Sequence, residues 1–167
     1  MYYYSFITGF FTARNTSKEK ALRILTIGNW LCTLWLPTWS QLRIAVEAEA
    51  ILGILLLSET EIELISSDVL LFEVKRIPSV HRKKYVIEVL EESNVFIEIN
   101  DRIENRATTL NTKGIKSLDA LHLACAEAAK ADYFCTCDDK FLKKAKILQD
   151  IQTKAVSPLE LIAEIEQ

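Results

Sequence analysis

The sequence of 167 residues is poor in glycine and proline, with four and three residues of each. This scarcity excludes the fibrous and low-complexity classes, which depend on these two residues. A basic excess is also missing, because 20 lysines and arginines stand against 23 aspartates and glutamates, for a net charge of -3. Nucleic-acid binding would therefore have to rest on a local basic patch. Half of the residues are hydrophobic and 26% are charged, which is typical of one folded domain with a core.

Cysteine motifs for zinc binding or redox chemistry are absent from the sequence. The four cysteines form neither a CxxC motif nor a Cys/His ladder at zinc spacing, and they are Cys32, Cys125, Cys135 and Cys137. We expect reduced, buried thiols in a cytoplasmic protein.

A secretion signal and a membrane span are likewise not predicted. The N-terminus lacks the basic start and the small-residue cleavage site of a signal peptide. An apolar-rich stretch from Ile24 to Leu36 is interrupted by Asn29, and Pro37 follows it. It is shorter than the roughly 20 residues that a membrane-spanning helix needs, so we expect no membrane partner.

The first 40 residues differ from the rest of the chain. Residues 1–40 hold all three tryptophans, four basic residues, one glutamate and no aspartate, whereas residues 41–167 hold 16 basic and 22 acidic residues. No repeat or Ser/Gly linker separates the two parts. We interpret residues 1–40 as an atypical N-terminal segment and residues 41–167 as the main domain.

Helices and strands alternate from residue 41 onward. Apolar residues recur at helical spacing over 41–56. Short apolar or alternating runs predict strands at 61–65, 95–99, 133–137 and 153–156. Amphipathic runs predict helices at 69–77, 79–92, 101–113, 118–131 and 140–148, and one beginning at Pro158. This alternation predicts a three-layer α/β sandwich with a mostly parallel central sheet.

The predicted helix starts carry residues that commonly cap helices. These residues are Ser66, Ser67, Asp68, Asn100, Asp101, Ser117, Asp138 and Asp139. Gly114 is expected at the C-terminal end of the helix over 101–113.

Three carboxylates stand where an α/β sheet would place a ligand site, near strand ends or helix starts. Glu73 lies inside an apolar helix, Asp119 in the first turn of another, and Asp138 directly after the strand over 133–137. Each also has a simpler interpretation: Glu73 as a solvated charge, Asp119 as a partner of the helix dipole, and Asp138 as an N-cap.

Taken together, the three acids indicate a metal site. Clustered carboxylates repel one another unless a cation lies between them. Oxygen ligands favour Mg²⁺ or Mn²⁺ over zinc, and such an ion can activate a water against a phosphodiester. The chain has no Gly-rich phosphate loop, no serine elbow and no evident Cys/His pair, which disfavours the corresponding enzyme classes.

The segment SLDALHLACAEAAKADYFCTCDDKFLKKAK resembles the second half of a PIN domain, as found in VapC-like toxins of toxin–antitoxin pairs. The similarity lies in Asp119 followed by Ala-Leu-His-Leu-Ala, an apolar strand, and then Thr136-x-Asp138-x-x-Phe141. The helix that carries Glu73 and the ending VSPLELIAEI are also similar to the family, so the resemblance spans about 41–165. It implies a PIN-like fold and a Mg²⁺- or Mn²⁺-dependent ribonuclease with RNA as substrate. Glu73, Asp119 and Asp138 would be its catalytic and metal-binding residues, with a cognate antitoxin as partner and often a homodimer.

The sequence departs from this family at its start. PIN domains begin with a strand that ends in aspartate, and the best stand-in here, ILTIGNWLCTL, has Asn29 or Trp30 near that position. Neither residue replaces a carboxylate. We hypothesise that residues 1–40 are degenerate, or result from a shifted reading frame or a wrong start. Resequencing that reveals an in-frame, aspartate-bearing strand would support the shift, and the same sequence in several isolates would count against it.

Histidines and lysines give weaker signals. His122 lies three residues after Asp119, and it either touches the acids or is a buried, hydrogen-bonded histidine. His81 belongs to an exposed basic run. Lys143 and Lys144, close after Asp138, either contact a phosphate backbone or are ordinary surface charges.

Three functions therefore remain open. The first is a PIN-type ribonuclease, and the second is a catalytically impaired PIN-fold protein that acts as a binding module. The third is another α/β domain whose acids are caps, which predicts acids more than about 10 Å apart, beyond the reach of strong pairing.

Overall fold

The computed structural model describes residues 22–26, 42–57, 62–91, 93 and 95–165. The strands in these ranges are β1 (Leu22–Thr26), β2 (Ile62–Ser67), β3 (Val95–Ile97), β4 (Tyr133–Cys135) and β5 (Lys154–Val156). The helices are α1 (Leu42–Leu57), α2 (Asp68–Lys75), α3 (Val80–Glu91), α4 (Asp101–Thr112), α5 (Ser117–Ala128), α6 (Asp139–Ala145) and α7 (Pro158–Ile165).

The strands form one sheet in the order β3-β2-β1-β4-β5, and every strand pairing in it is parallel. Each parallel crossover passes through helix, as the alternation of the sequence predicts. The expected α/β fold with a mostly parallel sheet is therefore confirmed.

The central strand comes from the N-terminal segment. β1 pairs with β2 on one side and with β4 on the other, and Thr26 lies opposite Cys135. It overlaps only the first three residues of the stand-in stretch predicted from sequence. Asn29 and Trp30, the residues expected near the missing acid, lie outside the described residues. The division between residues 1–40 and 41–167 stays a prediction.

Helices cover both faces of the sheet, which makes the three layers. Phe134 on β4 packs into a cluster with α4 and α5 residues such as Leu110 and Leu123. The next residue, Cys135, points to the opposite face and packs with Ile54 of α1 and Leu161 of α7. Successive strand residues alternate between faces, so one short strand contributes to both cores.

The predicted helix caps are largely confirmed. Ser67, Asn100 and Asp138 occupy the N-cap positions of α2, α4 and α6, and each side chain accepts a hydrogen bond from a backbone N–H of its helix. Gly114 follows α4 with φ of 88°, a left-handed conformation that favours glycine.

The predicted cap of α5 is wrong. Ser117 is the first residue of the helix, and Lys116 occupies the N-cap position without a side-chain capping bond. The hydroxyl of Ser117 instead accepts a hydrogen bond from the side-chain amide of Asn111, at 3.2 Å. Asn111 also donates to the backbone carbonyl of Ile115, so it holds the turn between α4 and α5.

Among the described residues, none of the helices has the length and apolarity that crossing a bilayer requires.

Candidate active site

The three predicted acids lie on elements that meet at the carboxyl edge of the sheet. The chain leaves β1 for β2 and β3 on one side and returns to β4 and β5 on the other. The boundary between β1 and β4 is thus the topological switch point, where α/β sheets bind ligands. Asp138 lies three residues after the end of β4, Asp119 is in the first turn of α5, and Glu73 is on α2.

Asp138 is both an N-cap and a candidate ligand. Its Oδ1 atom accepts hydrogen bonds from the backbone N–H groups of Lys140 at 2.8 Å and Phe141 at 3.0 Å. Its own N–H donates to the hydroxyl of the buried Thr136 at 3.1 Å. These bonds fix the carboxylate at the start of α6, so the interpretation of Asp138 as an N-cap is confirmed.

The ionised form of the Asp119 carboxyl is disfavoured in its surroundings. Burial raises the pKa of its carboxyl above the ordinary value, and the negative charge of Asp138 raises it further. The charge of Glu73 adds to this increase, whereas Lys116 and His122 act in the opposite direction. Asp119 is therefore within electrostatic reach of both other acids, which would repel it less if a cation were bound.

Glu73 contacts a histidine on the helix that carries Asp119. Its Oε2 atom lies 2.9 Å from the Nε2 atom of His122, whose side chain is fully buried on α5. The Glu73 side chain itself is 30% exposed. Both interpretations of His122 offered by the sequence are thus correct, because it is buried and hydrogen-bonded and its partner is one of the acids.

Asp119 and Asp138 line one small cleft. Its volume is about 20 Å³, enough for roughly one water-sized ligand. The cleft is also lined by two apolar and three basic residues, which are Ile115, Phe141, Lys116, Lys140 and Lys144.

Sequence reasoning missed Lys116 and Lys140 as functional candidates. Lys116 stands three residues before Asp119 and Lys140 two residues after Asp138, so proximity to the two acids was the available signal. Lys144 lines the cleft, and its Nζ atom donates to the carbonyl of Gly114 at 2.7 Å. Its two interpretations, as a phosphate contact or a surface charge, stay predictions. Lys143 is exposed on α6, and its predicted role stays a prediction.

The described residues contain no group of three His, Cys, Asp or Glu side chains placed to hold a metal ion. Glu73 is hydrogen-bonded to His122, and one oxygen of Asp138 accepts from the backbone of α6. The donor chemistry nevertheless fits a hard divalent cation, because two carboxylates share the cleft, and burial together with the charge of Asp138 raises the pKa of Asp119.

A larger cleft of about 350 Å³ lies at the other end of β4 and β5. Tyr133 and Lys154, the first residues of these strands, line it, and none of the three acids does. This cleft is the larger of the two, but the smaller one is the better candidate for the active site because it contains Asp119 and Asp138.

The thiols within the described residues are free, as expected. Cys125 and Cys135 are buried and Cys137 is partly exposed. Burial raises the pKa of Cys125 to about 11 and also raises the pKa of Cys135, so both stay protonated and unreactive at neutral pH. Cys32 lies outside the described residues.

In a parallel α/β sheet ligands bind at the switch point, and carboxylates there offer oxygen ligands to a hard divalent cation. The family model described as "PIN domain" matches residues 35–147, more than half of the chain. The chain therefore belongs to the PIN domain family. β1 lies before the matched residues, in the part of the sequence that departs from the family's pattern.

PIN domains are nucleases and generally use divalent metal ions, so membership supports a PIN-type nuclease activity. The fold is similar to the crystal structure of PAE2754 from Pyrobaculum aerophilum, at 16% identity and a TM-score of 0.49, covering 88% of this chain and 98% of that one. It is also similar to VapBC2 from Rickettsia felis bound to a DNA fragment from their promoter, at 14% identity and a TM-score of 0.49, covering 80% and 98%. The comparison with curated protein sequences gave no match.

Proposed function

We propose that this chain is a metal-dependent endoribonuclease of the PIN type and the toxin component of a toxin–antitoxin pair. The observation that carries the proposal is the pairing of Asp119 with Asp138 in one cleft at the switch point, where burial and then the charge of Asp138 raise the pKa of Asp119. Two carboxylates in this state favour a divalent cation over the empty site.

In this proposal Asp119, Asp138 and Glu73 have the metal-binding role that the resemblance to the family implies, with Mg²⁺ or Mn²⁺ as the ion. When bound, such an ion supplies an activated water and stabilises charge that develops on a phosphodiester. Asp138 contributes the Oδ2 side of its carboxylate, because Oδ1 accepts the two N–H groups of α6. Glu73 enters from α2, where His122 holds it.

Lys116 and Lys140 are the candidates for contacts with the RNA backbone. Both line the cleft that holds Asp119 and Asp138, so a phosphate at the acids would lie close to their ammonium groups. Such contacts position a strand without reading its sequence, and they make binding dependent on salt. A local patch of this kind agrees with a chain whose overall net charge is -3.

The segment around Asp119 and Asp138 resembles VapC-like toxins. This resemblance is the basis for the proposed toxin role, the cognate antitoxin, a homodimer and a cytoplasmic location. Induced expression in a bacterial host tests this part of the proposal. We expect growth arrest by the unchanged chain and normal growth with Asp119→Asn. Normal growth with both chains, at equal protein levels, would refute the toxin role.

A second candidate function is a PIN-fold binding module without turnover. The specific observation in its favour is the sequence of the central strand, LRILT, which contains no carboxylate, together with the absence of aspartate from residues 1–40. With fewer acids at the switch point, metal affinity and turnover both fall. This function predicts RNA binding without cleavage.

Cleavage of a labelled RNA pool distinguishes the two functions. The chain is stripped with a chelator and supplied with Mn²⁺ or Mg²⁺, and a DNA pool of the same sequences is run alongside. The matched control for Asp119→Asn is Asp101→Asn, because Asp101 is a first-turn acid of α4, exposed and away from the cleft. We expect metal-dependent cleavage of RNA that Asp101→Asn retains and Asp119→Asn loses. Binding without cleavage under every metal would favour the binding module.

A further inference from the structure

His122 is buried within the helix that carries Asp119. It lies three residues further along α5, about one turn, and none of its surface is exposed. Its Nε2 atom lies 2.9 Å from a carboxylate oxygen of Glu73. This contact joins α5 to α2 at the point where both helices present acids.

The contact defines which ring nitrogen of His122 carries hydrogen. A carboxylate oxygen of Glu73 accepts, so the Nε2 atom donates. The Nδ1 atom is buried and has no hydrogen-bond partner among the described residues. The Nε2 hydrogen is therefore directed at Glu73.

This hydrogen bond restricts a side chain that would otherwise be mobile. Glu73 is 30% exposed and has three rotatable side-chain bonds, so in isolation it would sample several rotamers in water. The imidazole is held by its own burial, so it selects the rotamers in which the carboxylate reaches α5. Partners that orient metal-ligating carboxylates in this way influence metal affinity strongly.

We propose that His122 is a positioning residue that orients the Glu73 carboxylate toward the Asp119 and Asp138 site. The proposal rests on the proposed function in that it takes Glu73 as a ligand of the same metal ion. His122 acts through Glu73 and contacts neither the metal nor the RNA.

The affinity of the full-length chain for Mn²⁺, measured by titration calorimetry, tests the proposal. His122→Leu removes the donor, and His122→Gln retains one because the glutamine amide can take the place of Nε2. His81→Gln is the matched control, since His81 is exposed on α3. We expect His122→Leu to bind Mn²⁺ about 10–100-fold more weakly. We expect His122→Gln to recover most of the affinity and His81→Gln to be unchanged. Equal affinity of His122→Leu and the unchanged chain would overturn the proposal.

An NMR measurement on the unchanged chain does not depend on the folding of any His122 variant. Nitrogen-resolved imidazole spectra should show the His122 hydrogen on Nε2, with a signal that shifts in Glu73→Gln but not in Asp101→Asn. A hydrogen on Nδ1 alone, or no response to Glu73→Gln, would overturn the proposal.

The Mn²⁺ affinity and the cleavage of RNA distinguish failure of the proposed function from failure of the positioning role. A chain that binds Mn²⁺ in a His122-dependent way but leaves RNA intact would refute the nuclease and support the positioning role. A chain that cleaves RNA while His122→Leu retains full Mn²⁺ affinity would support the nuclease and refute the positioning role.

Discussion

Asp138 combines two roles that substitution can separate. Asparagine at this position keeps an oxygen that accepts the N–H groups of Lys140 and Phe141, whereas alanine removes it. Loss of an N-cap acceptor costs about 1 kcal/mol. In a chain of this length, 1 kcal/mol corresponds to a change in Tm of about 2–4 °C. We therefore expect Asp138→Ala to melt about 2–4 °C below Asp138→Asn.

The stability of Asp138→Asn should lie close to that of the unchanged chain. Removing the charge loses a favourable interaction with the N-terminus of α6, worth about 0.3–1 kcal/mol. It also removes a repulsion, because the charge of Asp138 raises the pKa of Asp119. These effects have opposite signs, so we expect a net change within about 0.5 kcal/mol, as for substitutions without a packing defect.

Cleavage should respond differently from stability. Both Asp138 variants lose a ligand of the proposed metal, and a contribution of roughly 3 kcal/mol to the transition state corresponds to a hundredfold or greater loss of rate. Asn100→Ala is the matched control, because it removes the cap of α4, whose Oδ1 atom accepts from the N–H of Ile103 at 3.1 Å. It should lose about 1 kcal/mol of stability and keep its activity.

The assays are thermal unfolding by circular dichroism and cleavage of labelled RNA with Mn²⁺. Full cleavage by Asp138→Asn would refute the metal role. Equal Tm values for Asp138→Asn and Asp138→Ala would refute the capping role. Loss of cleavage by Asn100→Ala would show that destabilisation alone explains the effect.

Three further perturbations have defined expected results. The folded-state pKa of Asp119 is raised by burial and then by neighbouring acids, so its contribution to stability is full below pH 3.8 and is lost as pH rises through the folded value. The free energy of unfolding, measured with urea at a series of pH values, should therefore fall more steeply with rising pH for the unchanged chain than for Asp119→Asn. Parallel curves of this free energy against pH would contradict the prediction. Arg106 donates to both carboxylate oxygens of Glu127, at 2.7 and 2.9 Å, so Arg106→Leu should cost about 1–3 kcal/mol. A double-mutant cycle with Glu127→Leu that shows additivity would refute that coupling. Replacing Lys116 or Lys140 by alanine should reduce the slope of log affinity against log salt by about 0.7 each, measured on single-stranded RNA without metal. An unchanged slope would exclude a phosphate contact.

Much of the fold could be predicted from local patterns. Asn100 before DRIE and Asp138 before DKF are caps whose partners lie two or three residues away, so the sequence contains the whole interaction. The parallel sheet followed from the alternation of strands and helices. The prediction of Ser117 as a cap is wrong because its hydroxyl accepts a hydrogen bond from the side-chain amide of Asn111, six residues earlier. That contact forms only when the turn between α4 and α5 is folded.

The candidate site was less accessible to sequence reasoning. Asp119 and Asp138 were chosen because they follow or begin recognisable elements, and they do line one cleft. The hydrogen bond between Glu73 and His122 joins residues 49 positions apart, so no local pattern indicates it. The order of strands also brings β1 between β2 and β4, although the composition of residues 1–40 suggested a segment unlike the rest.

The position of bound Mn²⁺ tests the central claim most directly. The full-length chain would be crystallised with Mn²⁺, and the ion located by its anomalous scattering. The account predicts an anomalous peak in contact with the carboxylates of Asp119 and Asp138, which is lost in crystals of Asp119→Asn. Density for both carboxylates without a peak between them, or a peak held by other residues alone, would contradict it.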